Sequence, residues 1–228
     1  MKNVDTATQL ALEMVKIGKN FGRNTVATLT DMEQPLGCAV GNALEVVEAI
    51  ETLKGHGPKD FDILCRALSV EILLVSGIAK SEEEAFEKVD EVIKNGKALE
   101  KLAEMITYQH GDANVINDYS LMGVANNEIE LVYLEDEVCY VDHIDALMIG
   151  EAAMNLGAGR AKLTDKIDHA VGIVLNKKVG DKVSHGDVIA TIYANELGIE
   201  VASKMILDAY TMSKEQISNR DVIIKVVR

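Results

Sequence analysis

The chain has 228 residues, 48% hydrophobic and 26% charged, with 23 Lys+Arg against 37 Asp+Glu and a formal net charge of −14. A chain of this length buries roughly 70–75% of the surface its unfolded form exposes, so a sizeable core in one large domain or two smaller ones is expected. The acidic balance, with no Lys/Arg cluster, argues against a nucleic-acid partner and against attraction to anionic lipid.

Residues 5–18 carry Ala7, Leu10, Ala11, Met14, Val15 and Ile17 at helical spacing, with Asp5 as candidate N-cap and Gly18 as the stop. After the turn GKNFGRN, residues 25–30 form a β-branched run that reads as a strand, and DMEQPLG then breaks the pattern with Pro35 and Gly37. Residues 42–53 read as a helix ended by Gly55-His56-Gly57-Pro58. The segment 60–78 is apolar on most of its circumference and predicts a helix buried on several sides. Ser81 with Glu84 makes a capping-box pattern before a further helix, which Asn95-Gly96 closes, and residues 98–106 make the next.

The texture changes between Asp112 and Glu130, a stretch of Asn, Gly and scattered apolar residues. Beyond it, residues 129–134, 137–141, 171–175, 188–193 and 222–227 are candidate strands, and 147–156 and 198–209 candidate helices. The expected organisation is an α/β remnant at residues 1–112, mostly helical with one orphan strand, then a linker at 113–130. An α+β domain with a barrel-sandwich-like hairpin region follows at 131–228. A lone strand cannot satisfy its own ladder. It pairs with the second domain, or with another chain, or it belongs to a larger sheet; the last case predicts exposed apolar surface on the helices.

Few motifs carry chemistry. Cys38, Cys65 and Cys139 follow no CxxC or Cys/His spacing, so reduced thiols are expected rather than a disulfide framework or a zinc site. The start of the sequence, MKNVDTATQL, has no apolar h-region, and no stretch approaches the ~18 uninterrupted apolar residues of a membrane span, so no membrane association and a cytoplasmic location are the default. The five histidines do not cluster; His185 is expected in a turn, and Gly157 to Arg160 offers either a phosphate contact through Arg160 or, more simply, a helix end with an exposed arginine. Asp165 and Asp168 form a carboxylate pair in a polar loop. The run Val179 to Ala190 looks like the hammerhead hairpin of biotinyl and lipoyl carriers, but Lys177 and Lys178 lack the sequence context of the modified lysine. Leu36-Gly37-Cys38-Ala39-Val40-Gly41-Asn42 leads into a helix bearing Glu45 and Glu48. Its small residues and carbonyls suit a cation, the helix start suits an anion, and an ordinary turn with solvated glutamates is the simpler alternative.

The run 22–27, then Thr30-Asp31-Met32, Gln34-Pro35-Leu36-Gly37, Val40 to Val46, Glu48-Ala49-Ile50, Leu53-Lys54-Gly55 and Gly57-Pro58 resembles the pyrimidine-nucleoside and thymidine phosphorylase family. Leu156 to Arg160, Asp165 to Asp168, Val171-Gly172-Ile173 and Val179 to Val183 resemble the terminal α+β domain of that family. The resemblance implies phosphorolysis of a pyrimidine nucleoside to free base and pentose 1-phosphate, with no organic cofactor. It also implies a potassium ion held by the backbone carbonyls of Leu36 and Ala39 and the carboxylate of Glu48. The family's Lys-His-Ser-Thr-Gly-Gly phosphate loop and base-contacting residues have no counterpart here, and Met1-Lys2 matches the end of a motif that follows them. Catalytic and substrate-binding residues are therefore expected to come from a complementing amino-terminal half, with a homodimer also possible, and the chain alone is expected to be inactive. The alternative is a non-catalytic interaction or subunit module.

Overall fold

The computed structural model describes residues 3–160, 162–218 and 220–228; the Met1-Lys2 match lies outside them. Helix α1 (Val4–Asn20) opens on Asn3, whose side chain accepts from Thr6 N at 2.9 Å. Asp5, expected as the cap, sits in the first turn instead, where a carboxylate still favours the exposed amides. Strand β1 (Ala27–Thr30) follows, and it is not orphaned. It pairs antiparallel with β9 (Ile223–Val227), placing Ala27 opposite Val227 and Thr28 opposite Val226. Helix α1 covers this two-stranded sheet by packing Ala11 and Val15 on Val227, Ala27 and Leu29.

A second strand in the first segment escaped the sequence reading. Strand β2 (Ala39–Val40) is only two residues long, too short for alternation to register. It pairs antiparallel with β5 (Gly172–Leu175), Ala39 opposite Val174 and Val40 opposite Ile173, and leads directly into α2 (Asn42–Leu53). Helices α3 (Lys59–Val75), α4 (Glu82–Lys94) and α5 (Lys97–Tyr108) complete the first segment. The Ser81 side chain accepts from Glu84 N at 3.2 Å, while the Glu84 carboxylate reaches back to Lys80 N at 2.9 Å, a capping box offset by one residue. Helix α3 corrects an expectation, because none of its residues is buried. It packs along α4 and walls a cavity of about 720 Å³ with α2, α4 and α5; Ile72 on its far part remains 66% exposed.

Residues 113–130 hold two 3₁₀ turns, Ala113–Ile116 and Tyr119–Met122, opened by the side chains of Asp112 and Asp118, and then the start of β3 (Asn127–Val132). The remaining elements are β4 (Cys139–Ile144), α6 (Ala146–Asn155), β6 (Lys182–Val183), β7 (Val188–Ala194), α7 (Ile199–Ala209) and β8 (Tyr210–Ser213). They build two antiparallel sheets, ordered β2-β5-β7-β3 and β6-β4-β8. The main core lies here: Val141, Ile144, Ile149, Ile173, Ile192 and Ile206 are inaccessible to solvent. Strands β6 and β7 flank the Gly186 turn but pair into different sheets, so the run read as a hairpin crosses from one sheet to the other.

The β2–β5 join demands close backbone approach. A Cβ on Gly172 would lie 2.4 Å from the Val40 carbonyl oxygen and 3.1 Å from Gly41 Cα, neither of which can swing aside like a side-chain tip. Gly172→Ala should therefore lower the urea midpoint, at a cost of about 2 kcal/mol from overpacking. Gly150→Ala, in α6 with nothing within 4 Å of the added carbon, should instead raise stability by about 0.5–1 kcal/mol through helix propensity.

Candidate cation site

The loop between β1 and β2 is organised by Glu48. This residue stands on α2, and its Oε2 accepts from the backbone N–H groups of Cys38 at 2.8 Å and Ala39 at 2.9 Å. Gly37 makes the arrangement possible twice over. Its φ of +68° is a left-handed conformation, and a Cβ there would lie 2.0 Å from Glu48 Oε1. That Oε1 makes no hydrogen bond and no ion pair among the described residues. Burial raises the Glu48 carboxyl above its ordinary value, outweighing the two N–H bonds that pull it down.

The carbonyls of the loop divide into two sets. Lys178 Nζ donates to the carbonyl oxygens of Pro35 and Gly37 and, at 3.0 Å, to Asp60 Oδ2, which also accepts from Gly37 N at 3.1 Å. The Cys38 carbonyl accepts from Leu175 N at 2.8 Å across the β2–β5 ladder. Ladder alternation then turns the Ala39 carbonyl to the opposite edge, the one from which its N–H reaches Glu48. The Leu36 carbonyl accepts no hydrogen bond among the described residues. Leu36 and Ala39 thus offer two uncommitted carbonyl oxygens, and Glu48 a half-buried carboxylate oxygen. These are hard oxygen donors of the kind an alkali or alkaline-earth cation takes, so the residues fit such an ion.

A cavity of about 550 Å³ adjoins the loop, bounded in part by Gln34, Cys38, Asp60, Lys178, Asp181 and Arg220. The Cys38 thiol in its wall is pushed up to about 11, first by burial and then by the surrounding carboxylates, against the opposing pull of Lys178. It is therefore a neutral thiol rather than a nucleophile at neutral pH. Among the described residues no three His, Cys, Asp or Glu side chains gather as a metal cluster.

The other candidates serve the fold. Asp165 accepts from Lys162 N at 2.8 Å, and Asp168 accepts from Ala170 N at 3.0 Å and from the Asn195 amide, so both carboxylates are spent on loop structure. His185 Nδ1 lies 3.0 Å from the Leu134 carbonyl, beside a turn in which Asp187 N donates to Ser184 O. Gly157, at φ +103°, follows the end of α6, and Arg160 is exposed. Sequence reasoning missed Lys178 and Asp60, which pair with each other across 118 residues of chain.

Comparison with known proteins follows this geometry. Residues 1–99, which include the loop and Glu48, match the family described as "Glycosyl transferase family, a/b domain". Residues 140–213 match the "Pyrimidine nucleoside phosphorylase C-terminal domain". Relatives named "Pyrimidine-nucleoside phosphorylase" are 46% identical over 215 residues in Bacillus subtilis (strain 168), covering 94% of this chain and 49% of the relative. The relative from Geobacillus stearothermophilus is 48% identical over 195 residues, 86% of this chain and 45% of its own length. The one from Staphylococcus aureus (strain USA300) is 44% identical over 218 residues, 96% and 50% respectively. The chain belongs to the pyrimidine-nucleoside phosphorylase family, and it spans about half the length of the curated relatives it matches.

The raised Glu48 carboxyl has a stability consequence whose sign is fixed. The folded chain binds this proton more tightly than the unfolded chain, so the contribution is fully present below the unfolded value and is lost as pH rises through the folded one. Glu48→Gln keeps an oxygen to accept from Cys38 and Ala39 but cannot ionise. In choline buffer free of alkali cations, the variant should gain stability relative to the parent as pH rises from about 4 to 7, read by urea unfolding at each pH.

Proposed function

We propose that this chain acts as the carboxyl-terminal part of a pyrimidine-nucleoside phosphorylase, in which phosphate displaces the base from the anomeric carbon to give free base and pentose 1-phosphate. The observation that carries this reading is the loop at residues 34–39. There, a segment that resembles the family's cation site leaves the Leu36 and Ala39 carbonyls and Glu48 Oε1 uncommitted while spending the intervening polar groups. Those three residues would hold a potassium ion, which supplies fixed positive charge and ties the loop to α2.

Phosphate and nucleoside would be gripped elsewhere. Catalysis of this reaction is chiefly orientation of phosphate and electrostatic stabilisation of an oxocarbenium-like centre. The Lys-His-Ser-Thr-Gly-Gly run suited to that task does not occur in these 228 residues. We infer that an amino-terminal half provides it, within one polypeptide or as a complementing chain, with a homodimer as a further arrangement. The division into residues 1–112 and 131–228 follows the same reading, the first presenting the cation loop and the second bracing it. No described helix is long and apolar enough to cross a membrane; the acidic, aromatic-poor surface and unpaired cysteines suit a cytoplasmic enzyme of nucleoside salvage.

The test is phosphate-dependent release of uracil or thymine from uridine, deoxyuridine and thymidine. The chain alone should release neither, and addition of the amino-terminal half of a relative such as the Bacillus subtilis protein should restore release. Robust turnover by the chain alone would overturn the need for a second half. Silence in both arrangements would overturn the phosphorylase reading and favour a binding module.

A further inference from the structure

We propose that Lys178 is a positioning residue for the cation site: its tethered ammonium claims the Pro35 and Gly37 carbonyls and so leaves those of Leu36 and Ala39 turned toward an alkali cation beside Glu48. The inference rests on the cation reading above and extends it to a residue of the second segment.

The strap that carries Lys178 is held from behind. Tyr210 donates its hydroxyl to the Lys177 carbonyl at 2.9 Å, Gly180 N donates to Val141 O at 2.8 Å, and Val141 N returns to Asp181 O at 3.0 Å. The Asp181 carboxylate accepts from Lys178 N at 2.7 Å. With its backbone fixed in this way, the Lys178 side chain is only 18% exposed, and its three N–H groups have three acceptors. Asp60 is equally constrained. It lies in the first turn of α3 and accepts from Phe61 N at 2.9 Å as well as from Gly37 N. Next to this anchor, Val179 N donates to the Gln34 side chain at 3.1 Å. A loop whose alternate carbonyls are already bound to a covalently attached cation presents the others without further ordering, and that preorganisation is what a weakly held ion needs.

The charges point the same way. Those acting on the Cys38 position are Lys178 on one side and Glu48, Asp60 and Asp181 on the other. With Asp60 engaged by the ammonium and Asp181 by a backbone amide, the free carboxylate oxygen beside the uncommitted carbonyls is that of Glu48.

The experiment follows thermal unfolding of the 228-residue chain in potassium chloride, with choline chloride holding ionic strength constant. The parent should melt at higher temperature as potassium replaces choline, and Glu48→Gln should lose that response. In Lys178→Met the potassium concentration giving half the shift should rise tenfold or more, with Lys178→Arg recovering part of the loss. A bracing role alone would lower the melting temperature equally in both salts. A potassium response in a cooperatively folded Lys178→Met unchanged within twofold overturns the role of Lys178 and leaves the phosphorylase reading intact. Absence of a response in the parent overturns the cation reading and this inference with it, while the base-release assay still judges phosphorolysis separately. Should Lys178→Met fail to fold, Asp60→Asn is judged by the same tenfold and twofold limits, because it keeps the ammonium and removes the carboxylate that steers it.

Discussion

Strand β2 meets strand β5 at a point where two backbones approach more closely than side chains allow, with Gly41 beside Gly172. The geometry of the candidate site depends on this contact. It fixes which edge of β2 meets the second segment and which faces α2, and hence that Ala39 turns its amide toward Glu48 while Cys38 spends its carbonyl on Leu175. A strand of two residues has almost no stability of its own. It persists because the β5 ladder and the Glu48 carboxylate satisfy part of its backbone, while the Lys178 ammonium holds the Pro35 and Gly37 carbonyls just before it.

The loop that results concentrates charge in a half-buried place. A hydrogen bond to a charged group contributes about 1.5–3 kcal/mol, and Glu48 has two such bonds on one oxygen. Its carboxyl is nevertheless raised, so desolvation exceeds what the two amides return. Lys178 and Asp60 are in a different position, since each is held by the other and by backbone groups on both sides. The proposed cation site rests on this contrast between a well-matched ion pair and a carboxylate with one oxygen to spare.

Stability is unevenly spread. The sheets and helices after residue 130 enclose a contiguous core of fully buried Ile, Val and Leu side chains, whereas α3 buries no residue and α1 buries only Ala11 and Val15. Elements with so few buried apolar contacts open at lower free energy than the core does. The β1–β9 ladder and the Arg228 guanidinium, which bridges Glu71 on α3 and Glu82 on α4 at 2.6 and 2.8 Å, tie the helices to the last strand of the chain.

Local patterning located most of the elements. The helical spacing of Leu10, Met14 and Ile17, the Ser81–Glu84 cap, the β-branched runs near 171–175 and 188–193 and the glycine stops are all interactions within a few residues, and the sequence carries them in full. The same locality explains the failures. The two-residue β2 exists only because β5 is there to pair with it, β8 continues from the end of α7 without a break in composition, and the apolar girth of α3 reports a preference for burial that neighbours must satisfy. For the site, the small residues at 36–42 and the nearby Glu48 left a cation, an anion and an ordinary turn open, and only the family resemblance singled out a cation. The role of each carbonyl was not legible there. The sequence by itself determined that small loop residues and Glu48 stand close together; tertiary structure decided which of their oxygens remain uncommitted, because that depends on Lys178, Leu175 and Asp60, brought to the loop from distant positions by packing and strand register.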